Sequence, residues 1–258
     1  MVTYLDRILE GHRAAAADDR RPLNDLVEQA RSLAPTRGFR RALIEADGLG
    51  VIAEVKRRSP SKGELAPDLD PAELAASYEA GGATCLSVLT DAEFFGGSPR
   101  DLQAARQAVA LPVLRKDFTV SAHDVVDARL MGADCVLLIV AALDDAELAD
   151  FRALAAELGL DALVEAHDEP EVERALRAGA DMVGINQRDL VTFEVDTARA
   201  VRVVSNLPAG VVRVAESGIS HPEDATGLRE AGYHAVLVGE ALVRSGDPRT
   251  AVFALRSA

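Results

Sequence analysis

Short apolar runs recur along the chain, each introduced by the same step from polar helix to glycine. The segments E-A-G-G-A-T-C-L-S-V-L, L-M-G-A-D-C-V-L-L-I, R-A-G-A-D-M-V-G-I-N and E-A-G-Y-H-A-V-L-V-G each read as a helix end, a glycine suited to the C-cap and a short buried strand. Their glycines, Gly82, Gly132, Gly179 and Gly232, are 50, 47 and 53 residues apart. That spacing is too long for one strand–helix unit and fits two. The second strands are found at 51–56, 112–115, 161–164 and 211–214. Helical patterns fill the intervals at 71–79, 99–109, 122–131, 144–158, 169–178, 197–204 and 222–231, with prolines near several starts and Asp144 capping the longest.

Eight strand–helix units in alternation predict a parallel sheet closed into a (β/α)8 TIM barrel. An open doubly wound sheet is the alternative, and it lacks the G-x-G-x-x-G turn expected after its first strand. With no break in composition, 1–258 reads as one domain. Residues 1–48 form an N-terminal helical extension, helix-like at 4–16 and 23–33, expected to pack outside the barrel or across one end.

Barrel active sites gather where the strands end. The odd strands end in ionisable groups: Glu54 and Lys56, Lys116, Glu165 and Glu216. The even strands end in Thr90, Asn186 and Gly239. In V-I-A-E-V-K the two charges share one strand face, which makes them inward-facing at the mouth. Isolated buried charge is costly, so the cluster reads as a structural ion-pair network or as acid–base machinery. Glycines in A-E-S-G-I-S and V-G-E-A-L stand after the seventh and eighth strands, whose loops commonly hold phosphate in such barrels.

Composition narrows the partners. Apolar residues make up 48% and charged residues 27% of 258 positions, an ordinary globular mix. A formal charge of −14 argues against nucleic acid or an anionic membrane surface. An anionic small molecule would need cations gathered in one pocket. The three lysines, Lys56, Lys62 and Lys116, against 25 arginines, all fall at strand ends or in the loops that follow. Charges at Asp6, Arg7 and Glu10 interrupt any signal-like segment, so a cytoplasmic location is expected. Cys85 and Cys135 read as reduced core residues, and the five scattered histidines give no metal-binding spacing. His167 shares the Glu165 face by parity but falls in a loop, and no role is assigned to it.

Taken together, I-A-E-V-K-R-R-S-P-S-K-G, S-V-L-T-D followed by F-F-G-G-S, L-R-K-D-F, L-L-I-V, L-V-E-A-H, G-I-N-Q-R-D-L, V-A-E-S-G-I and L-V-G-E-A-L resemble the indole-3-glycerol phosphate synthases of tryptophan biosynthesis. The resemblance covers nearly the whole chain. It implies a carboxy-lyase that closes the ring of 1-(2-carboxyphenylamino)-1-deoxyribulose 5-phosphate with loss of carbon dioxide and water, with no cofactor and no metal. Lys116 then matches the acid that protonates the ketone oxygen, Glu165 the acid–base group of dehydration and Glu54 a carboxylate beside it. Lys56 matches a substrate-binding lysine that shares proton donation in a manner the family leaves unsettled.

Ser59, Asn186 and Arg188 match groups around the anthranilate carboxylate and amine, with Ser217 and Glu216 among the polar contacts. Phe95, Phe118, Leu137 and Leu190 match the apolar wall, and Gly218, Gly239 and Glu240 the phosphate-binding backbone. Two positions depart from the family pattern. Arg115 precedes the lysine where an uncharged residue is frequent, and Glu240 stands where some members have Ser, so its carboxylate must point away from phosphate. The rivals are another phosphate-binding barrel isomerase or lyase, or an inactive phosphate-ligand-binding barrel. A Schiff-base aldolase is disfavoured by Asn186 in place of its strand-six lysine. A monomer or weak oligomer is expected, with the N-terminal helices covering the mouth.

Overall fold

The computed structural model describes residues 3–258. Eight parallel strands close into a barrel in sequential order: β1 (Gly50–Val55), β4 (Cys85–Leu89), β5 (Val113–Lys116), β6 (Cys135–Ile139), β7 (Asp161–Ala166), β8 (Met182–Asn186), β9 (Val212–Glu216) and β10 (Ala235–Val238), with β10 pairing back onto β1. A two-stranded hairpin, β2 (Arg58–Ser59) and β3 (Gly63–Glu64), interrupts the first loop. The strands are buried on both faces, as a sheet enclosed by helices must be.

The barrel helices are α4 (Pro71–Ala80), α5 (Pro99–Ala108), α6 (Ala122–Met131), α7 (Asp145–Glu157), α8 (Glu169–Arg177), α9 (Arg199–Val203), α10 (Pro222–Glu230) and α12 (Pro248–Arg256). Their starts follow local chemistry. Asp70, Ser98, Ser121, Asp144, Asp168 and Asp247 each accept a backbone N–H of the first turn, and Pro71, Pro99, Pro222 and Pro248 occupy positions where no N–H is needed. The repeated glycines Gly82, Gly132, Gly179 and Gly232 take φ of 88°, 96°, 82° and 96°, the left-handed turn that sends each helix into the next strand.

Three helices precede β1: α1 (Tyr4–Asp18), α2 (Leu23–Arg31) and α3 (Phe39–Ile44). They touch both ends of the barrel. At the C-terminal mouth, α1 sets Tyr4 edge-on against Phe94 and Phe193, His12 3.1 Å from Asp91, and Arg13 on Glu147 and the Ala142 carbonyl. At the opposite end the Arg37 N–H donates to Asp134 and the Arg40 N–H to Asp161, both at 2.8 Å, while Phe39 is fully buried. Helix α2 lies along α6 on the outer wall. Among the described residues no helix is long and apolar enough to cross a membrane.

Candidate active site

The strand register brings the odd-strand charges to one level. Glu165 of β7 lies beside Gly184 and Ile139, and Glu216 of β9 beside Asn186 and Leu237. Lys116 ends β5 opposite Leu89. Above them opens a cavity of about 880 Å3, large enough for a sugar phosphate carrying an aromatic ring. All sixteen residues singled out from the sequence line it: Glu54, Lys56, Ser59, Phe95, Lys116, Phe118, Leu137, Glu165, Asn186, Arg188, Leu190, Glu216, Ser217, Gly218, Gly239 and Glu240.

Its floor is a charged chain. The Lys116 Nζ donates to Glu216 Oε2 at 2.6 Å and to Glu165 Oε2 at 3.1 Å, and Asn186 Nδ2 donates to Glu165 Oε1 at 3.1 Å. Beside it, Lys56 Nζ pairs with Glu54 Oε1 at 2.5 Å. Burial works against the Lys116 charge, but Glu216, Glu165 and Glu54 outweigh it and hold the amine firmly cationic. The two glutamates diverge. Burial raises Glu165, yet Lys116, His167 and Asn186 bring it below the usual carboxylate range. Glu216 is pushed up to about 7 by burial, against the pull of Lys116 and with help from the Glu165 charge. Neighbouring carboxylates driven apart in this way suit one to hold a proton while the other accepts one.

Backbone shape makes the room. A Cβ on Gly184 would stand 2.1 Å from Glu216 Oε1, and one on Gly239 2.3 Å from Glu54 Oε1. After β9, Ser217 and Gly218 take φ of 66° and 71°, with the Ser217 carbonyl held by Gln187 Nε2 at 2.8 Å. Left-handed backbone at a non-glycine residue is uncommon and concentrates at functional sites. The Glu240 carboxylate turns along its own short helix, α11 (Glu240–Val243), to Arg244 at 3.5 Å.

The apolar wall includes Phe95 and Phe118, whose ring centroids lie 6.3 Å apart. Asp91 positions Phe94 and Phe95 through their backbone N–H groups. Thr90, read from sequence as a group at the mouth, instead bonds Asp117 and receives Arg115 Nε at 3.2 Å, outside the cavity. Arg115, the departure beside Lys116, is thereby accounted for. His12, Asp91 and Asp117 are the trio of metal-ligand type among the described residues. Their carboxylates already accept Phe94, Phe95 and Phe118 N–H groups and the Arg115 guanidinium.

Lys62, placed by the sequence in the loop after the first strand, lines the cavity too, with Arg244, which the sequence pattern does not single out. Nor does it single out Gly184, which makes room for Glu216. An isolated glycine inside a strand, as in V-G-I-N, is the signal for a close approach. With them, five cations (Lys56, Lys62, Lys116, Arg188, Arg244) and five acids (Glu54, Asp117, Glu165, Glu216, Glu240) line the cavity. The mouth is thus locally balanced in a chain of net charge −14.

Solved structures share the architecture. Thiamine phosphate pyrophosphorylase from Pyrococcus furiosus superposes with a TM-score of 0.62 at 20% identity, covering 81% of this chain and 94% of its own. The N-acetylmannosamine-6-phosphate 2-epimerase of Clostridium perfringens gives 0.60 at 14%, covering 76% and 89%. At such identities the likeness concerns the fold. Sequence relatives say more. Indole-3-glycerol phosphate synthase of Mycobacterium ulcerans (strain Agy99) is 51% identical over 252 residues, 97% of this chain and 92% of that protein. The protein of the same name from Polaromonas sp. (strain JS666 / ATCC BAA-500) is 51% identical over 257 residues, 98% and 97% of the two chains. With the family model described as indole-3-glycerol phosphate synthase matching residues 5–255, the chain belongs to that family.

Proposed function

We propose that this chain is an indole-3-glycerol phosphate synthase, converting 1-(2-carboxyphenylamino)-1-deoxyribulose 5-phosphate to indole-3-glycerol phosphate, carbon dioxide and water. The observation that carries the reading is Lys116 at the cavity floor, bound to Glu216 and Glu165 and facing open space. When the ring carbon attacks the ketone, negative charge gathers on the oxygen. A forming alkoxide is a stronger base than an amine, so an ammonium kept charged by two carboxylates both stabilises it and gives it a proton. Carbon dioxide then leaves.

Dehydration follows, with an acid at the departing hydroxyl and a base at the adjacent carbon. Glu165, oriented by Asn186, is the acid–base group, and the Lys56–Glu54 pair shares the proton traffic. Ser59 and Arg188 take the anthranilate carboxylate, and Ser217 adds polar contact. Phe95, Phe118, Leu137 and Leu190 hold the ring, and the backbone at Gly218, Gly239 and Glu240 takes the phosphate. The reading treats residues 1–258 as one domain with 1–48 as an extension over the barrel ends, acting in the cytoplasm as a monomer or weak oligomer.

The test is to mix the purified protein with the carboxyphenylamino deoxyribulose phosphate, chelator present, and follow indole fluorescence. A rapid rise is expected, falling about 10²–10⁴-fold in a folded Lys116→Ala variant. Silence from the folded wild-type protein would refute the reaction, and near-normal turnover in the variant would remove Lys116 from its role.

A further inference from the structure

The proposed reaction consumes a proton. A carboxylate leaves as neutral carbon dioxide and the other products are uncharged at the reacting atoms, so a proton must enter from solvent in every turnover. Lys116 and Glu165 line the floor of the cavity that the substrate would fill, 15% and 3% exposed, so a bound substrate covers both from solvent. A path that bypasses the cavity would reload this pair while substrate is bound.

The side of Glu165 away from Lys116 supplies a candidate. His167, just past the end of β7, has its Nε2 buried, without a hydrogen-bond partner, and 3.8 Å from Glu165 Oε1. Its Nδ1 lies 2.9 Å from Glu171 Oε2, and the same carboxylate oxygen accepts the His167 backbone N–H at 2.8 Å. A carboxylate only accepts, so the Nδ1 side carries a proton and Nε2 is the end presented to Glu165. Both outer partners reach solvent: the His167 side chain is 13% exposed and that of Glu171 19%. The row Glu171–His167–Glu165 thus runs from the surface to the catalytic floor.

We propose that His167, oriented by Glu171, is the relay residue that reloads Glu165 with protons from solvent during ring closure and dehydration. This rests on the reaction assigned above. In the transfer the Nε2–H bond breaks as an Oε1–H bond forms on Glu165. The imidazole is left neutral, its Nδ1–H still donated to Glu171, and a proton from solvent acid returns to Nε2 through a water to restore the imidazolium. The remaining 3.8 Å closes by rotation of the Glu165 carboxylate or through one water. Burial works against a charged ring, but the Glu171 bond and the charges of Glu165 and Glu171 exceed it, with Arg199 of α9 opposing, and the imidazole is held above its ordinary value. The relay is loaded below that raised value and empties as pH rises through it.

Single-turnover rates across pH test this in wild type, His167→Gln and Glu171→Gln. We expect His167→Gln to lose about tenfold or more in rate at neutral pH, with substrate affinity within about threefold and the alkaline limb gone. Glu171→Gln keeps the ring and moves that limb to lower pH, a readout that stands even if His167→Gln fails to fold. Added imidazole should accelerate a His167→Ala variant and leave wild type unchanged. A wild-type protein without turnover would fault the assigned reaction. An active wild type whose profile persists in Glu171→Gln and in folded His167→Gln would overturn the relay alone.

Discussion

Gly184 is a small residue on which the charged floor of the cavity depends. Its missing side chain is where the Glu216 carboxylate sits: a Cβ there would lie 2.1 Å from Oε1, 3.2 Å from the carboxyl carbon and 3.3 Å from Leu163. Ordinary contact begins at 3.4 Å, so Gly184→Ala requires the oxygen to retreat by about 1.3 Å. Glu216 is also the closer partner of Lys116, at 2.6 Å. A shift of that size at a reacting centre costs about a hundredfold in rate, or about 2.7 kcal/mol of transition-state stabilisation. Overpacking takes a further ~1–3 kcal/mol from stability.

The assay is kcat and KM by indole fluorescence beside thermal melts, with Gly227→Ala in α10 as control. A Cβ there meets nothing within 4 Å, and the change should stabilise by about 0.5–1 kcal/mol with activity intact. In a Glu216→Ala background the Gly184→Ala substitution should cost almost nothing further, because the two residues act through one contact. Wild-type kcat in the single Gly184→Ala variant, or full additivity in the double, would refute the argument.

Two further outcomes concern the ends of the barrel. Asp134 is fully buried and accepts from the Arg37 and Val113 N–H groups and from Arg106. Asp134→Ala should lower stability by ~3–5 kcal/mol in denaturant titration and leave kcat at 25 °C unchanged, since it lies opposite the mouth. At the mouth, the Asp91 hydrogen bond, opposed by burial and aided by the charges of Asp117, Asp91 and Asp124, raises the His12 imidazole above 6.5. That stabilisation is complete below the unfolded value and is lost as pH climbs through the folded one, so the melting difference between wild type and His12→Gln should shrink from pH 6 to pH 8.5.

What the chain disclosed in advance follows from where the determining contacts lie. The 50-residue glycine period, the Asp, Ser and Pro starts of the helices and the strand-end charges are local, and they located the barrel and its mouth. Helix α3 went unread because six residues without a capping side chain are held by aspartates about a hundred positions onward. The hairpin that spans S-P-S-K-G has too short a pattern to announce itself, since each of its strands is two residues long. Strand β7 continues to Ala166 because Glu165 and Ala166 stay in register with Gly184 and Ile185, pairings that no single-strand pattern reveals. Thr90 pointed to the mouth by its place at a strand end, and the partner that turns it aside, Asp117, belongs to the next strand–loop junction. His167 became significant only once Glu171 was seen to orient it.

The N-terminal segment has a further consequence in the order of synthesis. Its helices are made well before Asp91 and Asp117, which receive α1, and Asp134 and Asp161, which receive the segment leading into α3. Until Asp134 and Asp161 are made, beyond the midpoint of the 258 residues, the segment lacks part of the surface it docks on. Such long sequence separations slow folding and leave apolar side chains such as Phe39 exposed in the growing chain. The extension is thus translated before the surfaces that secure it, which makes it a portion of the nascent protein especially dependent on protection from aggregation.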